Sequence, residues 1–155
     1  VILSYDYLWQ NIRVRGGAYG CMSNFNRIGE GYFVSYRDPH LERTLKVYDG
    51  VVDYLKNFTV SERDMTKYII GTMSNIDQPM TPVSKGERSM NLYMSKVSAE
   101  MIRKERNQIL DASQEDIRSL YRVAEAVLKA DQLCVIGGEE KIEESREVFG
   151  RVTGF

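Results

Sequence analysis

The apolar residues of this chain keep helical spacing almost throughout, and they leave it at only two places, residues 18–36 and 133–136. Long helical stretches beside few, segregated strands indicate an α+β architecture rather than alternating βαβ units. The expected fold is a two-layer sandwich, a largely antiparallel sheet packed on helices. Val1, Tyr5, Leu8 and Ile12 mark an opening helix that runs to about Val14 and stops at Gly16-Gly17. Its spacing starts at the first residue with no capping Ser, Thr, Asp or Asn before it. The sheet also has few strands for its helices. Both features predict a partial domain, residues 1–155, whose N-terminal strands belong to a longer polypeptide.

After the glycines, Ala18 to Phe25 and Tyr32 to Tyr36 read as a hairpin around Asn26-Arg27-Ile28-Gly29, with Gly29 at a left-handed turn position. Tyr32, Val34 and Tyr36 share one face of the second strand, and Phe33 and Ser35 the other. Asp38-Pro39 starts a helix, Asp38 accepting free amide hydrogens, and Leu41, Leu45, Tyr48, Val52 and Leu55 give its stripe to about Asn57. Ser61 caps the next helix, whose face is Met65, Tyr68, Ile69, Met73 and Ile76. Thr81-Pro82 and Ser84-Lys85-Gly86-Glu87 are alternative starts for a helix with the stripe Met90, Tyr93, Met94 and Val97. A helix from about Ser98 to Leu110 follows. Another, capped by Ser113 with Asp116, runs through Ile117, Leu120, Ala124, Val127 and Leu128. Leu133 to Ile136 reads as a buried strand, and Glu139 to Phe149 as a closing polar helix.

Charge and histidine content narrow the function. The 21 basic and 22 acidic side chains leave a net charge of −1, without the basic excess that phosphate neutralisation requires of a nucleic-acid binder. No apolar run approaches the roughly 20 residues of a membrane span. The single histidine, His40, cannot build a catalytic zinc site, which commonly takes three protein ligands, two of them histidines on one helix face. Cys21 and Cys134 read as reduced thiols, and the low cysteine use suits a cytoplasmic setting.

Two glycine-bearing stretches invite a phosphate-binding reading. Arg13-Val14-Arg15-Gly16-Gly17-Ala18-Tyr19-Gly20 follows a helix and opens a strand, the reverse of a nucleotide loop. Val135-Ile136-Gly137-Gly138-Glu139-Glu140-Lys141 has the right order, but its glutamates stand where a phosphate would sit. A helix stop and a helix start account for them. From spacing alone, no reaction centre is visible.

Several segments, however, resemble the last domain of presequence proteases, within the pitrilysin/insulinase superfamily. They are Tyr7-Leu8-Trp9-Gln10-Asn11-Ile12-Arg13-Val14-Arg15-Gly16-Gly17-Ala18-Tyr19-Gly20, Tyr32-Phe33-Val34-Ser35-Tyr36-Arg37-Asp38-Pro39, Thr66-Lys67-Tyr68-Ile69-Ile70-Gly71-Thr72 and Lys85-Gly86-Glu87-Arg88. The resemblance implies a processing-peptidase/metallohydrolase-like fold and a non-zinc C-terminal part of a zinc metalloendopeptidase that degrades unstructured peptides in a closed chamber. It implies no catalytic residue and no metal ligand in this chain, with zinc bound by another domain of the same polypeptide. It also implies that Arg13 and Tyr19 contact the substrate and its oxyanion. The same fold kept as an inactive peptide-binding or structural module is the alternative. Partners would be the N-terminal catalytic half and peptide substrates, and an uncovered sheet edge would let the isolated chain self-associate.

Overall fold

The computed structural model describes residues 1–154, whose contacts form two compact units: Phe58–Arg118 with Val1, and Ile2–Asn57 with Ser119–Phe155 apart from its last residue. The architecture is α+β, helices beside one two-stranded antiparallel sheet.

The second unit carries the sheet. Its opening helix, Leu3–Val14, is wound with π rather than α hydrogen bonding, and Arg15 N still donates to Gln10 O, five residues back, at 3.1 Å. Wider winding keeps residues four apart aligned and swings residues three apart away from each other. Leu8 and Ile12 are therefore fully buried, while Tyr5 is 63% exposed and leaves the stripe that α spacing would give it. Strands β1 (Gly20–Phe25) and β2 (Gly31–Tyr36) pair from Gly20–Tyr36 to Phe25–Gly31. Asn26 closes the hairpin: its side-chain oxygen accepts from Ile28 N and Glu30 N, and Gly29 takes a φ of +87°. Phe33 stacks on Tyr48 at 5.4 Å, so the Phe33 face of β2 is the one packed on a helix.

The expected helix to Asn57 is two helices, α1 (Leu41–Asp49) and α2 (Val51–Lys56). The cause is Tyr7, whose hydroxyl donates to Val47 O at 2.9 Å and lies where a Gly50 side chain would be, 2.3 Å from the ideal Cβ position. A side chain inserted into a helix ladder interrupts it. The buried seam is Thr44, Tyr48, Val51 and Leu55, shifted by a residue from the expected stripe at its first and third positions. Asp38 ties down the start of α1 without being its cap: Oδ1 accepts from His40 N at 3.0 Å and Oδ2 from the Thr44 hydroxyl at 2.6 Å.

Helix α7 (Tyr121–Lys129) packs Ala124 against α2 in the same unit. Leu133 to Ile136 forms no strand ladder among the described residues, and Ile136 is 82% exposed. It is not the buried strand expected, because among the described residues the only ladder, β1 with β2, does not include it. The last helix also stops early. α8 (Glu139–Glu144) ends at buried Ser145, whose hydroxyl bonds Glu42 Oε1 at 3.2 Å, and only a short 3₁₀ turn, Arg146–Val148, follows.

The first unit is helical. α3 (Glu62–Ile76), α4 (Pro82–Met94) and α5 (Ala99–Leu110) are capped by Ser61, Thr81 and Ser98, each hydroxyl accepting an amide three residues on. Of the two starts open for α4, Thr81-Pro82 is used. Arg106 and Asp77 form an ion pair between the end of α3 and α5. α6 (Gln114–Ser119) begins with Ser113 and Asp116 capping one another. Gln114 both accepts from Val60 N and donates to Val60 O, each at 3.0 Å. The α4 stripe is not core: Met90, Tyr93 and Met94 are exposed, Tyr93 to 86%.

Burial, before any other cause, pushes the Tyr48 and Tyr54 hydroxyls up to about 12. The unfolded chain, with phenols near their ordinary value of 10, then loses these protons first. Stability is complete below pH 10 and falls between pH 10 and 12, so urea midpoints should drop in that window, and drop less in a Tyr48→Phe/Tyr54→Phe variant. Tyr48 Oη is buried without a partner in hydrogen-bond geometry, although the Ser35 side chain lies close enough to favour its ionised form. Tyr48→Phe at neutral pH should accordingly leave the midpoint unchanged or raise it by up to about 1 kcal/mol of stability.

Candidate functional site

The reversal after the opening helix positions Arg13 and Tyr19. Gly17 N donates to Arg13 O at 2.9 Å and Ala18 N to Ile12 O at 3.2 Å, so the chain folds back over its own last turn. Each glycine meets a different demand. A Cβ on Gly16 would lie 2.3 Å from the Ile12 carbonyl oxygen. Gly17 holds a φ of +80°, which side-chain-bearing residues rarely adopt. A Cβ on Gly20 would meet the Tyr36 ring at 2.4 Å, because that ring lies across the strand opposite it. With Ala18 buried, Tyr19 is turned outward.

The two residues singled out from sequence do come together. The Arg13 guanidinium sits 4.1 Å from the centre of the Trp9 ring and 5.7 Å from that of Tyr19. Tyr19 packs at 5.6 Å on Tyr36, tilted by 60°. The Arg37 guanidinium lies 5.2 Å from the centre of the same Tyr19 ring. Cation–π contacts of this kind contribute roughly 0.5–1 kcal/mol each at an exposed site, enough to orient the side chains without burying them. Tyr19 is 56% exposed.

Trp9, Tyr36 and Arg37 were not singled out by spacing. The signals existed: Trp9 and Arg13 are four apart on one helix, Tyr36 pairs with Gly20 once the hairpin register is set, and Arg37 directly precedes the Asp-Pro helix start. Beneath the cluster lies Cys21. Burial first, and Asp38 next, raise its thiol, while nearby Arg13 pulls the other way. Cys21 is thus a buried thiol whose surroundings disfavour the thiolate.

Among the described residues no three His, Cys, Asp or Glu side chains are placed to hold a metal ion, and His40 stands alone at the N-cap of α1. The donor set here does not fit zinc. Nor is any helix of the described residues long and apolar enough to cross a membrane.

These features define a helix-to-hairpin module in which a glycine-broken reversal sets a half-buried arginine beside an exposed tyrosine. Residues 1–138 match the model of the PreP C-terminal domain, and the chain belongs to that family. It is 46% identical, over 97% of its length, to Protein HypA of Clostridium perfringens. It is 33% identical over 91% of its length to Presequence protease 1, chloroplastic/mitochondrial, of Arabidopsis thaliana, and 33% identical over 89% to the mitochondrial presequence protease of Kluyveromyces lactis. It spans 16%, 13% and 14% of those three proteins.

The reversal is testable by stability. Gly16→Ala forces its own backbone to move and should cost roughly 1–3 kcal/mol, whereas Gly17→Ala should cost about 1 kcal/mol for its left-handed φ alone. Denaturant midpoints of the two variants, compared with the parent, give the order.

Proposed function

We propose that this chain is the substrate-contacting, non-zinc part of a peptidase, and that Arg13 and Tyr19 donate hydrogen bonds to a bound peptide at the reacting carbonyl. The reading is carried by one observation: across the reversal at Gly16-Gly17, the Arg13 guanidinium lies 5.7 Å from the ring of the exposed Tyr19. Membership of the PreP C-terminal domain family supports it.

The chemistry suits these two groups. A carbonyl oxygen gains negative charge as its carbon is attacked, so a donor aimed at it binds the transition state more strongly than the ground state. A guanidinium supplies fixed positive charge, and a phenol supplies a single directed proton. Trp9 and Tyr36 hold both by ring contacts, which limits the reorganisation needed when substrate arrives. The catalytic half, with its zinc, would be another part of the same polypeptide, and the substrates unstructured peptides. A cytoplasmic setting fits the two free thiols.

In the intact polypeptide, Arg13→Ala and Tyr19→Phe should each lower kcat for a peptide substrate roughly 100- to 1,000-fold, the loss seen when one oxyanion donor is removed. Circular dichroism should be unchanged. Peptide turnover at the parental rate in both variants would sink the assignment. A parent that binds peptides but never cleaves them would instead favour an inactive peptide-binding module.

The exposed α4 stripe and the unpaired edge of β2 are surfaces that other parts of the polypeptide would cover. The isolated 155-residue chain should therefore self-associate, and light scattering should show mass rising with concentration. A constant monomer mass would count against it.

A further inference from the structure

Arg37 is the feature that the reading above leaves unused. It holds a φ of +49°, a left-handed backbone that costs a non-glycine residue roughly 1–3 kcal/mol. Its neighbours on both sides enforce that conformation. Its carbonyl accepts from Tyr19 N at 3.3 Å, an extension of the hairpin past Gly20–Tyr36. The next residue, Asp38, is turned inward to His40 N and the Thr44 hydroxyl. The carboxylate that sequence proximity would offer Arg37 is thereby committed to the start of α1. The strained residue points its guanidinium outward to the Tyr19 ring instead.

Arg13 approaches the same ring, at 5.7 Å against 5.2 Å for Arg37. Among the described residues neither guanidinium has a carboxylate within ion-pair distance, nor a hydrogen-bond acceptor. Arg15, two residues from Arg13, shows the contrast, since it donates to Asn11 Oδ1 at 3.2 Å. Two like charges that share one aromatic ring and lack a counter-ion repel each other. An anion held by the exposed Arg37 would offset that repulsion and accept from its guanidinium donors.

We propose that Arg37 is a specificity-determining residue of the peptide site, and that its guanidinium, held against the Tyr19 ring, recognises a carboxylate on the substrate. The carboxylate is either an Asp or Glu side chain or the peptide's C-terminal carboxylate. The proposal rests on the reading of Arg13 and Tyr19 as peptide contacts. The two arginines divide the work: Arg13, stacked on Trp9, lies nearer the reacting bond, and Arg37, at the end of β2, selects what flanks it. Because Arg37 is exposed, its contribution is screened by salt.

The test uses the intact polypeptide and a series of unstructured peptides in which one Asp is walked along the sequence. Each is paired with its Asn isostere, and each is made with a free-acid and an amidated C-terminus. The parent should show a KM roughly tenfold lower for the carboxylate member of one pair type, about the worth of one hydrogen bond to a charged group. That advantage should shrink with added salt. An Asp–Asn difference identifies the acidic side chain, and an acid–amide difference the C-terminus. Arg37→Ala should bring the paired KM values together, and Arg37→Lys should keep part of the gap. Arg37→Gly adopts the positive φ without strain and should abolish the preference all the same, which separates the guanidinium from the backbone. The proposal falls if the parent shows no paired difference, or if the difference survives in Arg37→Ala and Arg37→Gly. Arg13→Ala and Tyr19→Phe report on the prior reading by a different quantity, kcat on both members of every pair.

Discussion

The structure around the site depends on the contact between the Ile12 carbonyl and the chain that folds back over it. That oxygen accepts from Ala18 N, and it occupies the space a side chain on Gly16 would need. Ile12 is buried, so the carbonyl cannot move outward to make room. The return path is thus fixed from below by the core and from above by glycine. Everything that follows inherits its position from it: Ala18 pinned inward, Tyr19 directed outward, and Gly20 entering β1 opposite Tyr36.

The same unit shows how one helix shapes its neighbours. Tyr7 reaches from the opening helix into the Gly50 notch and splits the following helix, while its ring packs at 4.6 Å on Tyr54. The seam of α1 and α2 rotates as a result, and Thr44 becomes buried where it can bond Asp38. Asp38 is in this way drawn inward, and the arginine before it is left without a partner.

Much of this was legible in the sequence. The hairpin, its turn at Asn26–Gly29 and the caps at Ser61 and Ser113 follow from local chemistry, which short segments carry within themselves. The pairing of Arg13 with Tyr19 came from the resemblance to a family, and the geometry brings both into one cluster. What sequence could not show was set by distant contacts. The π winding that removes Tyr5 from the core has no signature in residue spacing, and the break at Gly50 and the early stop at Ser145 each involve a partner many residues away. Arg37 belongs to this group, since its conformation is imposed by Tyr19 and Asp38 rather than by its own residue type.

Two kinds of incompleteness coincide in the chain. Unit Phe58–Arg118 leaves an apolar stripe on α4 uncovered, and unit Ile2–Asn57 with Ser119–Phe155 leaves two guanidinium groups without anions. The first is a packing deficit, and apolar surface of that kind is satisfied by another folded surface. The second is an electrostatic deficit at an exposed place, and long-lived burial would be costly there because it would desolvate both charges. A surface that must meet charge yet stay open suits a transient ligand better than a permanent neighbour. On the proposed reading, the α4 stripe would meet another folded surface, and the Arg13–Tyr19–Arg37 cluster would meet the peptide.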